Sequence, residues 1–382
     1  MTIRIRLLGL VIAGLQVVPA AWARDCFVYF GTFTNESSRG IYVSRLDAST
    51  GKLSAPELAA TTPSPNYLAV SPDGRFLYAA TRVETFQGRT GGAVSAFAVD
   101  GRSGRLKLLD EKSSGGAGPC HVGVDAAGRT VFAANYPGGS VKSFHVNADG
   151  TLADGTFVQH RGHSVNTNRQ GVAHAHCFVA APGGRFALVC DLGLDKVMIY
   201  PFDPATAALA TNGTSFATVA PGSGPRHVAF SPDGKTAYVI NEMACTVTVF
   251  DWDGLKGKLD TRQTVALLPP GVKVTDAFGA AEIAVRPDGR FVYGTVRGHD
   301  SVSVLAADRD GGTLSLVENV PCGGKVPRGM GIDPAGRWLI VANQNSGAVT
   351  VFGIDAATGR LTSTGQILSV GAPVDVEFAP AQ

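Results

Sequence analysis

The sequence has no long apolar segment, no excess charge of one sign and few aromatic residues. Its longest apolar run, Leu7 to Val18, is too short to cross a bilayer, which takes about 20 residues. Basic and acidic residues nearly balance, 33 against 31, and aromatic residues make up 8% of the chain. No cluster of Lys and Arg alternates with aromatic residues. We therefore expect no nucleic-acid partner and no membrane association of the mature chain.

The six cysteines are scattered along the chain and form no CxxC or CxxCH motif. This pattern gives no support for haem attachment or for a quinone-dependent oxidoreductase, and we expect no cofactor. Cys177 and Cys190 lie on the two strands of one predicted hairpin. A three-residue loop would place their side chains on opposite faces, so we expect free buried thiols rather than a disulfide.

The N-terminus is typical of a secretory signal. Arg4 and Arg6 precede the apolar run, and Ala21-Trp22-Ala23 provides a small-x-small cleavage site. We predict a signal peptide over residues 1–23, a mature chain of residues 24–382, and export to the periplasm or the medium. An uncleaved membrane anchor is the alternative interpretation of the same segment.

A short sequence motif recurs six times, about every fifty residues, and consists of an apolar run, a Pro/Asp/Gly turn and a second apolar run. The turn glycines are Gly74, Gly128, Gly184, Gly234, Gly289 and Gly336. Such a motif is typical of a β-hairpin. Because a single hairpin cannot bury its own apolar face, repeats at this period indicate stacked or radially arranged sheets.

Each hairpin is followed by a third apolar run and then by a short recurring motif at the start of a fourth strand. These motifs begin at Gly51, Gly104, Gly150, Ala207, Gly257, Gly312 and Gly359. Seven fourth strands predict an all-β, seven-bladed β-propeller with four antiparallel strands per blade. Pro373 to Pro380 aligns with a first strand, and Phe27 to Thr32 with a second. The closing blade is therefore shared between the two termini of a single domain.

Two rings of residues are expected at one end of the propeller axis, because the start of each first strand meets the end of each second strand there. Eight residues before each turn glycine stand Asn66, Cys120, His176, Arg226, Ala281 and Arg328. Eight residues after it stand Arg82, Tyr136, Leu192, Glu242, Arg297 and Gln344. The rings are mostly polar and differ between otherwise similar repeats, which favours a functional site at this end.

Within the rings, Arg226 and Glu242 face each other across one hairpin, with Arg297 one blade on and His176 one blade back. The arginine fork suits an anion or a developing oxyanion, and a histidine suits a general base. Glu242 could either hold Arg226 in place or carry the proton of the leaving oxygen. We predict these four as catalytic residues. The predicted substrate-binding residues are His174, Tyr136, Arg328, Gln344, Asp191 and Arg169. A structural ion pair is the alternative interpretation of Arg226–Glu242.

Some neighbouring polar residues have a structural interpretation. His121 and His227 are one position from the first ring and are expected to be satisfied core histidines. Asp191 precedes the second ring and, besides the binding role, is interpreted as a cap of the following turn.

A long connection from Ala153 to Ala175 interrupts the repeat, and we expect it to cover part of the channel mouth. It contains His160 and His163, and His174 lies close to His176. These pairs could be interpreted as metal ligands, but they lack a Cys or carboxylate partner, so we expect no metal site.

Several stretches match a known family when taken together. They include His174-Ala-His-Cys-Phe178, Gly224-Pro-Arg-His-Val-Ala-Phe-Ser-Pro-Asp-Gly234, Val239-Ile-Asn-Glu242 and Pro327-Arg328. The chain resembles the seven-bladed lactonase family, which includes a bacterial form of 6-phosphogluconolactonase and the fungal carboxymuconate lactonising enzymes. The resemblance implies a metal-independent site at the channel mouth that uses His176, Arg226, Glu242 and Arg297, with His174 as the alternative histidine.

The resemblance is incomplete in the residues expected to line the pocket. Thr81-Arg82 stands where relatives often have Asn-Glu, and Ala284 where they often have His. Phosphorylated sugar lactones are cytosolic metabolites, so we expect an exported relative to act on another lactone.

These observations favour a monomeric hydrolase that opens a sugar or small organic-acid lactone. One alternative is a muconate-type lactonising isomerase with the same site residues. The other is a non-catalytic exported propeller that binds a ligand or a partner protein.

Overall fold

The computed structural model describes residues 25–35, 37–308 and 312–381. The predicted signal peptide lies outside these residues. The described chain is nearly all strand and forms seven small antiparallel sheets, each with its strands in sequence order from inside to outside except where the termini meet. This confirms the predicted seven-bladed propeller.

Blades are numbered from 1 in chain order, and their strands are given from the inner strand outward. Blade 1 contains Pro65–Val70, Phe76–Thr81, Ala93–Val99 and Leu106–Ser113. Blade 2 contains Pro119–Val124, Thr130–Asn135, Ser140–Val146 and Leu152–Gln159. Blade 3 contains Ala175–Ala180, Phe186–Asp191, Lys196–Asp203 and an outer strand in two pieces, Ala208–Leu209 and Ser215–Thr218. A small extra hairpin, Thr85–Phe86 and Arg89–Thr90, extends from blade 1.

The later blades follow the same plan. Blade 4 contains Pro225–Phe230, Thr236–Asn241, Thr246–Asp253 and Lys258–Ala266. Blade 5 contains Gly279–Val285, Phe291–Arg297, Ser301–Ala307 and Leu314–Pro321. Blade 6 contains Pro327–Ile332, Trp338–Asn343, Ala348–Ile354 and Leu361–Ser369, with a 3₁₀ turn at Gln344–Ser346. Blade 7 contains Pro373–Pro380, Cys26–Thr32, Gly40–Asp47 and an outer strand in two pieces, Lys52–Leu53 and Glu57–Thr61.

The ring is closed where the two ends of the chain meet in blade 7. The inner strand Pro373–Pro380 pairs antiparallel with Cys26–Thr32, with Phe30 opposite Val376. Hydrophobic clusters fill the seven gaps between neighbouring blades. In the gap between blades 6 and 7, for example, Val28 and Phe30 pack with Ile340 and Ala342. Because each sheet buries both faces against its neighbours, no blade is stable on its own.

A β-bulge occurs near the start of every inner strand. In blade 4, Pro225 pairs with Asn241 and His227 with Ile240, so Arg226 is the extra residue. The same register shift falls at the equivalent position in the other six blades. A bulge turns the extra side chain out of the alternation of the strand. The bulge residues are those of the first ring, and their side chains are thereby directed to the end of the channel.

Two expectations from the sequence are corrected here. Cys177 and Cys190 are directly opposite each other across their strands, not on opposite faces. The six-residue turn between Ala180 and Ala187 sets this register, because the pairing continues from it to Cys177 and Cys190 without a shift. All six cysteines are nevertheless free and buried, as expected.

The second correction concerns the long connection. Its first part belongs to the outer strand Leu152–Gln159, so the irregular loop covers residues 160–174 only. Within the described residues, no helix has the length and apolar character needed to cross a membrane.

Candidate functional site

A cavity of about 190 Å³ opens at the end of the channel where the inner strands begin. Its lining residues are Arg82, Cys120, Tyr136, Arg169, His176, Glu242, Arg297 and Arg328. All of them except Arg169 belong to the two rings predicted from the repeat spacing. The loop of residues 160–174 contributes Arg169.

The fold positions these side chains through the bulges and through polar anchors at the end of each second strand. Asn241 donates from Nδ2 to the hydroxyls of Thr246 and Thr248, which fixes the end of the strand just before Glu242. The backbone N–H of Glu242 then donates to the carbonyl of Gly224, 2.7 Å away. Hydrogen bonds of the backbone therefore fix the position of Glu242, and its side chain faces the cavity.

Glu242 is the buried carboxylate on which three arginines converge. Its oxygens lie 2.6 Å from Arg169 Nη2, 3.1 Å from Arg297 Nη2 and 3.3 Å from Arg226 Nε. Burial alone would raise the pKa of Glu242, but attraction to Arg297, Arg226 and Arg169 outweighs it and lowers the pKa to about 2. Glu242 therefore stays ionised at neutral pH and acts as a counter-charge that aligns the arginines.

Arg82 and Arg328 give the cavity its uncompensated positive charge. Within the described residues, neither has a carboxylate within ion-pair distance, and both guanidinium groups lie over the ring of Phe33, at 5.8 and 5.5 Å. Burial, together with repulsion from Arg226 and Arg297, lowers the pKa of Arg328 to about 9. An anionic group bound here would relieve this repulsion.

His176 is the buried imidazole of the cavity. Its ring packs on edge against Tyr136, with centroids 5.3 Å apart, and against His227, at 5.1 Å. Burial and the nearby positive charges of Arg226, Arg328 and Arg297 lower the pKa of His176 well below its usual value. The ring is therefore neutral at physiological pH and has a nitrogen available to accept a proton.

Arg226, unlike the other predicted catalytic residues, does not line the cavity. It is buried behind Glu242, and its Nη1 donates to the carbonyl of Ala281. The structure thus shows the ion pair of Arg226 with Glu242, which agrees with the structural interpretation of this pair, while its catalytic role stays a prediction.

The predicted binding residues are divided by the structure. Tyr136, Arg169 and Arg328 line the cavity. His174 lies behind Tyr136: the rings stack with centroids 4.5 Å apart, and His174 Nδ1 lies 2.9 Å from the Tyr136 carbonyl. Gln344 is half-buried in the 3₁₀ turn and does not line the cavity.

Asp191 does not reach the cavity, so its predicted role in substrate binding is corrected. It is fully buried; Oδ1 accepts the backbone N–H of His174 at 2.8 Å, and Oδ2 lies 2.6 Å from His160 Nδ1. Asp191 thus fixes the backbone before His176. Its Oδ1 also accepts the backbone N–H of Leu194 at 3.2 Å, which agrees with its alternative interpretation as a cap of the following turn.

Loop 160–174 covers part of the cavity, as expected. Arg169 extends from it to donate to Glu242 and, at 3.3 Å, to the hydroxyl of Tyr136. His160 is buried beneath the loop, with its ring nitrogens engaged by Asp191 and by the hydroxyl of Tyr200. His163 is exposed. In the described chain, no group of three or more His, Cys, Asp or Glu residues has the arrangement of a metal site.

Two lining residues, Arg82 and Cys120, were not selected as site residues from the sequence. Both are ring positions, so the repeat spacing was sufficient to find them. Burial raises the pKa of the Cys120 thiol to about 12, and its Sγ lies 3.4 Å from the carbonyl of His176. Cys120 therefore shapes the wall of the cavity without acting as a nucleophile.

The fold and this site together define a propeller with a cationic cavity at one end of its central channel. The chain belongs to the family described as "Lactonase, 7-bladed beta-propeller", which it matches over residues 27–378.

Named relatives and a solved structure agree with this family. The chain is 36% identical to a 6-phosphogluconolactonase of Bacillus subtilis over 92% of its own length and 97% of that protein. It is 30% identical to a 6-phosphogluconolactonase of Formosa agariphila, over 90% and 96% of the two chains. The structure of a periplasmic gluconolactonase of Pseudomonas aeruginosa is similar with a TM-score of 0.86 and 34% identity, covering 94% of this chain and 100% of that one.

Proposed function

We propose that this protein is an exported lactone hydrolase that opens sugar lactones in the cavity described above, without a metal. The observation that supports this most directly is a neutral buried histidine, His176, in one small cavity with several arginines and a single ionised carboxylate. Relatives named for lactone hydrolysis cover almost the whole chain and share this fold.

The proposed reaction is hydrolysis by general-base catalysis. His176 takes a proton from water as the water oxygen attacks the lactone carbonyl, and Arg297 stabilises the resulting oxyanion. The ring C–O bond then breaks, and the ring oxygen leaves with the proton returned from His176. The products on one open chain are a hydroxyl and a carboxylic acid, and the acid ionises to a carboxylate and releases a proton to the solvent.

The remaining residues bind and orient the substrate. Glu242 holds Arg169 and Arg297 in place, because its carboxylate is shared between them. Arg82 and Arg328 bind a second oxyanion where the substrate carries one, and in an unphosphorylated lactone that group is a carboxylate. The signal-like N-terminus supports an exported protein, and for that reason we favour an unphosphorylated lactone.

A pH-stat assay of the mature protein tests this proposal. The panel contains gluconolactone, its 6-phosphate, aldonolactones, and lactones that carry a carboxylate, and acid release is compared with the spontaneous rate. We expect acceleration that falls at least 100-fold in His176→Ala and Arg297→Ala. The exposed loop variant His163→Ala is the control and should keep wild-type activity. A folded wild-type protein that accelerates none of these lactones would contradict the proposal.

A further inference from the structure

Below the cavity, the channel contains a second group of buried or half-buried titratable residues that the reaction just described does not use. They come from the inner strands: Tyr67, His121, Cys177, His227, Glu282, Asp375 and Glu377. His227 and Glu282 are the members that extend towards His176. Both are buried, and His227 Nδ1 lies 2.8 Å from Glu282 Oε1.

Two orphaned nitrogen atoms connect this group with the cavity. His176 Nδ1 and His227 Nε2 are buried, and neither has a hydrogen-bond partner in the described chain. Their rings have centroids 5.1 Å apart. A nitrogen–nitrogen contact of about 3 Å between two imidazoles requires a centroid separation of roughly 5 Å. This separation therefore allows a hydrogen bond between the two rings once His176 Nδ1 and His227 Nε2 are turned towards each other; in the structure the ring planes are inclined by 61°.

The positive charges around the cavity favour moving a proton away from His176 through this contact. A proton taken up by His176 creates an imidazolium next to Arg226, Arg297 and Arg328, which oppose it. Glu242, the only carboxylate among the described residues that line the cavity, is already shared by three arginines. His176 alone is thus a weak base. Transfer of the proton to a carboxylate below removes the positive charge from this crowded region.

We propose that His227 and Glu282 are positioning residues that relay the proton of His176 during lactone opening. As His176 accepts the proton of water on the nitrogen facing the cavity, its Nδ1–H passes to His227 Nε2. The Nδ1–H of His227 passes to Glu282 Oε1, which becomes a neutral carboxylic acid. The reverse transfers deliver a proton to the leaving ring oxygen, so no net proton remains on the protein.

The charged surroundings of Glu282 suit a proton acceptor at neutral pH. Burial raises its pKa to about 7, with Arg226, His121 and Arg328 acting in the opposite direction. Asp375 and Glu377 also lie close enough in the channel to interact with Glu282 electrostatically. Arg226 Nη1 lies 3.5 Å from His227 Nδ1, and the rings of Tyr67 and His121 pack against His227. The relay accepts a proton only when Glu282 is ionised.

This inference rests on the proposed lactonase activity, and its kinetic test uses Glu282→Gln, which keeps the shape and removes the charge. We expect kcat to fall about 10- to 100-fold with KM changed less than about threefold. In the wild type we expect kcat to fall below about pH 7, where Glu282 becomes protonated, and in Glu282→Gln this fall should be absent. Glu282→Asp should restore part of the rate. Glu377→Gln, at a half-buried channel carboxyl whose pKa is also raised to about 7 and for which no contact with His227 is found in the described chain, should stay within about twofold of wild type.

A second measurement needs no lactone. In protein with ¹⁵N-labelled histidine, His176 and His227 should change tautomer or charge in one common step near the pKa of Glu282, and Glu282→Gln should abolish that step. Independent titration of the two rings would overturn the relay, even if the lactonase assay succeeds. Wild-type kcat in Glu282→Gln, or an equal loss in Glu377→Gln, would also overturn it. If Glu282→Gln does not fold, the wild-type titration decides.

Discussion

The charge of Glu242 determines which of its two predicted roles the protein can use. The sequence alone left open whether this carboxylate aligns an arginine or carries the proton of the leaving oxygen. With its pKa lowered to about 2 by three arginines, it has no proton to donate at neutral pH. Alignment of the arginines is the role that remains, and it makes Glu242 important for stability as well as activity.

Replacing Glu242 by Gln should destabilise the protein by roughly 2–5 kcal/mol at pH 7, because it leaves Arg226 and Arg297 buried without a counter-charge. Glu242 has a lowered pKa, so its contribution is present above about pH 4.5 and is lost as the pH falls towards 2. Urea unfolding at pH 7 measures the loss, and phosphate should restore part of it by binding the arginines.

Glu318→Gln is the control for this experiment. Glu318 pairs with Arg360, which is more than half exposed, so we expect a loss of about 1 kcal/mol or less and no response to phosphate. A similar loss in the two variants would contradict the role given to Glu242.

At the scale of strands and loops, repeat spacing predicted which residues share the cavity but not how their side chains turn. Counting from the turn glycines found both rings, because one hairpin geometry is repeated in each blade. It did not reveal the bulge that turns His176 and Arg328 towards the channel, since a register shift depends on pairing across strands rather than on local composition.

The predictions that were wrong failed for the same reason: they depended on contacts between residues that are distant in sequence. Cys177 was placed on the wrong face because the hairpin loop was assumed to be three residues long, and that assumption reverses the alternation. Asp191 was predicted to bind substrate because it is polar. Its carboxylate oxygens are instead engaged in hydrogen bonds with residues distant in sequence, such as His160. His227 is buried as expected, but it is not fully satisfied, because its Nε2 has no hydrogen-bond partner in the described chain. The carboxylate partner of its Nδ1 lies on the next blade, which no spacing within one repeat can show.

The loop of residues 160–174 contributes to the cavity through a single side chain. The loop is anchored independently of Arg169 by two other side chains: Gln170 Nε2 donates to the carbonyl of Leu192, and Ser164 Oγ donates to Asp195. Truncating Arg169 should therefore open the cavity without releasing the loop.

Arg169→Ala should raise KM for the lactone about 5- to 20-fold with a smaller change in kcat, because one charge-assisted contact and one wall of the cavity are lost. Arg161→Ala, in the same loop but exposed, is the control. Steady-state kinetics on the best lactone of the panel measures both. An unchanged KM in Arg169→Ala would show that the loop does not take part in binding.

For the whole molecule, the closing blade carries two carboxyl groups into the channel. Asp375 Oδ2 accepts the backbone N–H of Leu68 at 2.7 Å, and Glu377 Oε1 accepts that of Val70 at 3.2 Å. These bonds tie the C-terminal strand to blade 1 and satisfy inner-strand N–H groups that face the axis. Ring closure therefore depends on acidic side chains in a place where their ionisation is costly.

The cost gives the ring a characteristic pH dependence. Burial raises the pKa of Glu377 and of Glu282 to about 7, and that of Asp375 well above its usual value. A carboxyl with a raised pKa favours the folded state below its unfolded value, near 4.5, and this contribution is lost as the pH rises through about 7. Stability should thus decrease from about pH 5 to pH 8.

Glu377→Gln separates this effect from the chemistry of the cavity. The amide oxygen can still accept from Val70 but carries no charge, so the variant should be more stable than wild type at pH 8, by about 1–3 kcal/mol, and equal to it or slightly less stable at pH 5. Urea unfolding at the two pH values gives the difference. Glu57→Gln, at an exposed carboxylate, should change neither value. If Glu377→Gln followed the wild-type pH dependence, the loss of stability would have to arise outside the channel, and ring closure would be independent of the ionisation of Glu377.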